Sequence, residues 1–249
     1  MFLQAPLFEF KHLIGVAIVF LFFLIVSTFL KKNNYDNKDK VIIAFTISFY
    51  ILEIVKIGYI IYLDKAYPIY QLPLHLCSLP LYLYPLMLIF KKSDFVNKYI
   101  IPAAYSLIMI AGIMALALPT NILGNDTNWL PLKDNILPII SFFYHGLMVF
   151  SSIYLLKSRY YHFKMSDYSK SMTVGIAFAG MAMIANVLLD KDFMLLNYGT
   201  GSPLAFILEI SKPLYVFSMI GGFAILIGFV VIITDLLANK VKLRKRVNS

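Results

Sequence analysis

Long apolar runs, broken at intervals by short polar segments, set the pattern of this chain. Seven runs of about 20 mostly apolar residues stand out: His12–Leu30, Val41–Leu63, Leu72–Phe90, Tyr99–Leu118, Ile136–Leu156, Met172–Leu189 and Leu214–Leu237. A helix of that length, rising 1.5 Å per residue, crosses ~30 Å of hydrocarbon. Backbone polar groups cannot stay unpaired in lipid, and the ten-residue alternation of a membrane barrel is absent, so the runs predict helices. The pattern predicts an all-α polytopic membrane protein, a single seven-helix transmembrane domain over residues 1–249.

Composition agrees: 60% of residues are hydrophobic and only 14% are charged, well outside the range of soluble domains. The net charge of +9 first suggests nucleic acid, but its placement argues against that partner. Lys and Arg gather after the first run (Lys31–Lys40), the third (Lys91–Lys98) and the fifth (Lys157–Lys170), and in the tail KVKLRKR. The alternate side holds only Lys11, Lys65, Lys133, Lys191 and Lys212. The positive-inside rule then puts the N-terminus outside and the C-terminus in the cytoplasm, in a multi-pass protein of the cell membrane. The basic tail is expected to meet anionic lipid head groups.

The first run has a single basic residue, Lys11, before it and no clear small-residue cleavage site, so it reads as a span, not a cleaved signal. A single cysteine, Cys77, excludes an internal disulfide. No zinc-ligand spacing, Gly-rich phosphate loop or Gly-x-Ser-x-Gly elbow is present, so neither a metal nor a cofactor is expected. The long connection Pro119–Asn135, which carries Trp129, and the stretch Asp190–Lys212 fall on the outer side. Tyr59, Tyr62, Tyr67 and Tyr70, with Trp129, suggest an interfacial belt. Gly175, Ala179 and Gly221–Gly222 are the expected points of close helix contact. PLY occurs at Pro80–Tyr82 and at Pro213–Tyr215, a thin hint of two parallel halves in a 3+1+3 plan such as some transporters use.

Charged side chains within a span cost roughly 2.5–3.5 kcal/mol at mid-helix, so they mark a cavity or a partner. Glu53 and Lys56, one turn apart, and His145 lie near mid-depth; Gln71 and His75 open the third run. Asn186 and Asp190 close the sixth, and Asn197, Glu209 and Lys212 precede the seventh. Nearly all fall in the outer half, which suggests a polar pocket facing outward. The bland alternative is an internal Glu53–Lys56 pair with hydrogen-bonded core groups. Pro80 and Pro85 predict irregular backbone near His75 and Cys77. In a regular helix His75 and Cys77 face apart, which leaves His145 as the better base for the thiol and Glu53 to orient it. Lys56 or Lys212 suits an anionic head group.

LPLHLCS at Leu72–Ser78, FYHG at Phe143–Gly146 and the late pattern Asn186, Asp190, Asn197–Gly199, Lys212–Pro213 resemble the YwaF-type bacterial integral membrane proteins. That group is similar to the eukaryotic transmembrane protein 164 family. The resemblance implies lipid acyl transfer through a Cys/His pair, with His75 or His145 as base and Cys77 as nucleophile. In the eukaryotic motif the cysteine directly precedes the histidine of the third helix; that position here is Leu74. Three functions follow as expectations: a lipid acyltransferase or acyl hydrolase, a carrier, or a non-catalytic sensing or assembly module.

Overall fold

The computed structural model describes residues 10–32, 37–118, 136–199 and 202–247; the connection Pro119–Asn135 with Trp129 lies outside them. Among the described residues there are seven α-helices and no strand: α1 (Phe10–Lys32), α2 (Lys38–Asp64), α3 (Pro80–Ile89), α4 (Ile101–Ala117), α5 (Leu137–Lys157), α6 (Asp167–Leu189) and α7 (Lys212–Val247). Six are long and apolar enough to cross a membrane, α4 together with the helical turn Val96–Ile100 that precedes it. The third predicted span is the exception: only its second half is an α-helix, α3.

Proline chemistry explains α3. Pro73 holds Leu72 extended, with ψ 141, and the chain reaches α3 through 3₁₀ turns at Ile69–Gln71 and Leu76–Ser78. Pro73 starts no helix; Pro80 does, at the position where a missing N–H is harmless. Pro85 lies inside α3 and leaves the Leu81 carbonyl without its usual donor. The Tyr50 hydroxyl of α2 donates to that carbonyl at 2.8 Å. Pro213 likewise lies in the first turn of α7, so the repeated PLY reflects two helix starts.

α4 and α5 form the centre; most of each is buried, whereas α1, α2, α6 and α7 are largely exposed. Their outer faces are apolar, with Phe20, Ile25 and Phe29 on α1, Ile54 on α2, Val187 and Leu188 on α6, and Phe217 and Phe229 on α7 all exposed. Apolar surface of that extent, on helices long enough to span, suits a lipid surrounding. Close approach is made at Gly112 and at Gly146, the neighbour of His145. A Cβ on Gly112 of α4 would lie 2.9 Å from the His145 carbonyl of α5, and one on Gly146 of α5 would lie 2.1 Å from Val19 of α1. Gly175 makes only ordinary contact with Leu107, and Gly221 and Gly222 meet nothing within 4 Å.

Hydrogen bonds lock the bundle. Tyr84 of α3 donates to Ser151 of α5 at 2.6 Å, and the Tyr105 and Thr234 hydroxyls join α4 to α7. At the end bearing the basic connections, Lys91 pairs with Asp39 at 3.1 Å and Tyr160 donates to the same carboxylate at 3.2 Å. Burial, then the Asp39 charge, pushes the Tyr160 pKa up to about 12, so this phenol stays protonated and remains a donor.

Candidate functional site

A cavity of about 490 Å³ occupies the half of the bundle away from the basic connections, a size that suits a small-molecule or lipid ligand. Glu53, Lys56 and Ile60 of α2 line it, with Gln71, His75, Cys77 and Ser78 of the irregular segment before α3. Ser141, Tyr144 and His145 of α5 complete the polar wall. Ala111, Met114 and Ala115 of α4, Met194 and Leu195 after α6, and Met219 and Phe223 of α7 add apolar lining.

Six of the residues singled out from the sequence meet here: Glu53, Lys56, Gln71, His75, Cys77 and His145. Glu53 and Lys56 pair at 2.8 Å and still line the cavity; the pair and the pocket are one feature, not alternatives. His75 and Cys77 share the cavity because the backbone there is not a regular helix: His75 is extended, with φ −85 and ψ 155, and Cys77 sits on the following 3₁₀ turn.

The two histidines differ in what their ring nitrogens do. His75 Nε2 lies 3.1 Å from the Tyr70 carbonyl, so Nε2 carries the proton and donates. The Met194 N–H points to Nδ1 at 3.4 Å, and Phe193 packs edge-on at 5.4 Å. Both nitrogens are engaged by backbone, and the ring is clamped. His145 Nδ1 lies 2.8 Å from the Ser141 carbonyl and 3.2 Å from the Ser141 hydroxyl. A carbonyl can only accept, so Nδ1 holds the proton and Nε2 carries the basic lone pair. Among the described residues no hydrogen bond reaches that Nε2.

The remaining five lie elsewhere. Asn186 is buried and grips Phe193 twice, its Nδ2 donating to the carbonyl at 3.0 Å and its Oδ1 accepting the N–H at 2.6 Å. Asp190 ends α6 in the left-handed region and accepts from the Tyr198 hydroxyl. Asn197 donates to the Lys191 carbonyl at 2.9 Å and accepts from Lys212. Glu209 is exposed. Together, Asn186, Asp190, Asn197 and Lys212 shape the α6–α7 connection that presents Met194 and Leu195 to the cavity. Those two residues adopt φ 57 and φ 60, a strained conformation for large side chains, and nothing in the sequence announced them. Ser141 and Tyr144 were also missed as site residues; spacing of four from His145, one turn back, was the only available signal for Ser141.

Among the described residues no group of three or more His, Cys, Asp or Glu side chains could hold a metal ion. The bundle and its cavity define a polytopic helical membrane protein. The TMEM164 family model matches residues 7–234, and the chain belongs to that family. Neither a curated protein nor a solved structure gives a match.

Proposed function

We propose that this protein is a membrane enzyme that transfers or hydrolyses an acyl group of a lipid in the cavity. One observation carries the reading. The Nδ1 proton of His145 is committed to Ser141, which leaves a basic Nε2 in a wall shared with the free thiol of Cys77. A thiol becomes a nucleophile when a base can take its proton. In this scheme Nε2 takes the Cys77 proton as sulfur attacks the acyl carbonyl. The ester C–O bond breaks, and the leaving oxygen takes that proton from the imidazolium, giving an S-acyl protein and an alcohol. A second alcohol, or water, then attacks the thioester; its proton passes through Nε2 to the departing sulfur. Lys56 holds an anionic head group, Glu53 balances it, and the clamped His75 positions the segment that carries Cys77.

In the same reading the chain is one domain of the YwaF type in the cell membrane, N-terminus outside and C-terminus in the cytoplasm. The cavity then faces the outer side, and the basic tail meets anionic head groups. The test is acylation of the purified protein by a fluorescent fatty-acyl thioester. The expected label sits on Cys77, is released by hydroxylamine, and is lost in a His145→Ala/Cys77→Ala double variant. Full labelling of the double variant would refute these roles. A carrier would instead expose Cys77 to impermeant maleimide from each side of the membrane in turn.

A further inference from the structure

Tyr144 stands one residue before His145 in the cavity wall. It is only 6% exposed, and its hydroxyl has no hydrogen-bond partner among the described residues. By contrast, the buried Tyr84 donates to Ser151 and the buried Tyr215 to the Leu195 carbonyl. A buried hydroxyl left unmet is costly, and such a group in a native structure calls for an acceptor supplied from outside the protein. Phe49 packs edge-on against the ring at 5.1 Å, so the phenol is held in place. Met114, Met219 and Phe223 give the same cavity an apolar lining.

We propose that the Tyr144 hydroxyl is the donor that receives the carbonyl oxygen of an acyl chain, with the chain laid along the apolar lining. The assignment rests on the reading of the cavity as an acyl-lipid site and adds which atom holds the reacting group. A phenol so placed hydrogen-bonds the carbonyl in the bound state and strengthens that bond as negative charge develops on the oxygen. A small apolar cleft shares Leu76, Met194 and Phe223 with the cavity and is lined further by Leu107, Met172 and Ile227, which gives the chain a direction toward the basic end.

The test uses a long-chain methyl ketone, 2-tridecanone carrying a ¹³C carbonyl, which binds without reacting. Isotope-edited infrared spectra are compared for the full-length wild type and Tyr144→Phe, with dodecane as a competitor lacking the carbonyl. The expected result has three parts. The bound carbonyl band in the wild type lies below its position in Tyr144→Phe. Ketone affinity falls about tenfold in the variant, as for the loss of one hydrogen bond, while dodecane affinity does not change. The melting temperature of the variant is equal to or above that of the wild type. An unshifted band, equal ketone affinity, or no saturable ketone binding overturns the proposal. Its failure is separable from failure of the enzymatic reading. A shifted band without acyl-Cys77 formation keeps the Tyr144 donor and removes the enzyme. Acyl-Cys77 formation that is unaltered in Tyr144→Phe does the reverse.

Discussion

The ring of His145 hydrogen-bonds through Nδ1 to the carbonyl of Ser141, one helical turn earlier, at 2.8 Å. This contact lies wholly within α5, and it selects the tautomer that leaves Nε2 basic. His145→Ala is expected to slow acylation of Cys77 by about 100-fold or more, the usual scale for loss of a general base. Ser141→Ala keeps the backbone carbonyl and should cost only a few-fold. Rates measured with the acyl thioester probe check both. An unchanged rate in His145→Ala removes His145 as the base.

Glu53 and Lys56 form an ion pair 2.8 Å apart, largely buried between α2 and the cavity. Glu53→Gln or Lys56→Met alone strands one charge in an apolar setting, whereas the double change removes both. The singles should therefore lower stability more than the double, with a coupling of about 1–3 kcal/mol. A thermal-unfolding cycle in detergent measures it. Additive effects would mean that the two side chains act independently.

Tyr50 and Pro85 are joined through the Leu81 carbonyl. Tyr50→Phe leaves that carbonyl unmet, at a cost of about 1–3 kcal/mol. Pro85→Ala supplies a backbone N–H in its place, so Tyr50→Phe/Pro85→Ala should regain most of the loss. Equal destabilisation of the single and double variants would contradict this account.

Gly112 and Gly222 should respond oppositely to alanine. At Gly112 the new Cβ meets the His145 carbonyl, Met148 and Val149 at 2.9 Å, and the overpacking costs about 1–3 kcal/mol. At Gly222 it meets nothing within 4 Å, so the better helix propensity of alanine should leave stability equal or higher by up to about 1 kcal/mol. Melting temperatures of the two variants give the answer directly; a large loss at Gly222 would place an unseen neighbour there.

The sequence by itself determined the class of the protein, the number of apolar runs and the irregular backbone near His75 and Cys77. Each is a local property: bilayer thickness sets run length, and proline acts on its own turn. Only the tertiary structure decided which polar residues share a cavity. Asn186 and Lys212 look as suspect in sequence as Glu53 and Lys56, yet they bind the α6–α7 connection, while Tyr144, unremarkable in sequence, brings an unmet hydroxyl to the cavity wall. The contact at Gly112 was equally hidden. Lipid and protein interior are both apolar, so a membrane helix carries little contrast between the face that meets a neighbour and the face that meets lipid. That choice is made by residues from distant parts of the chain.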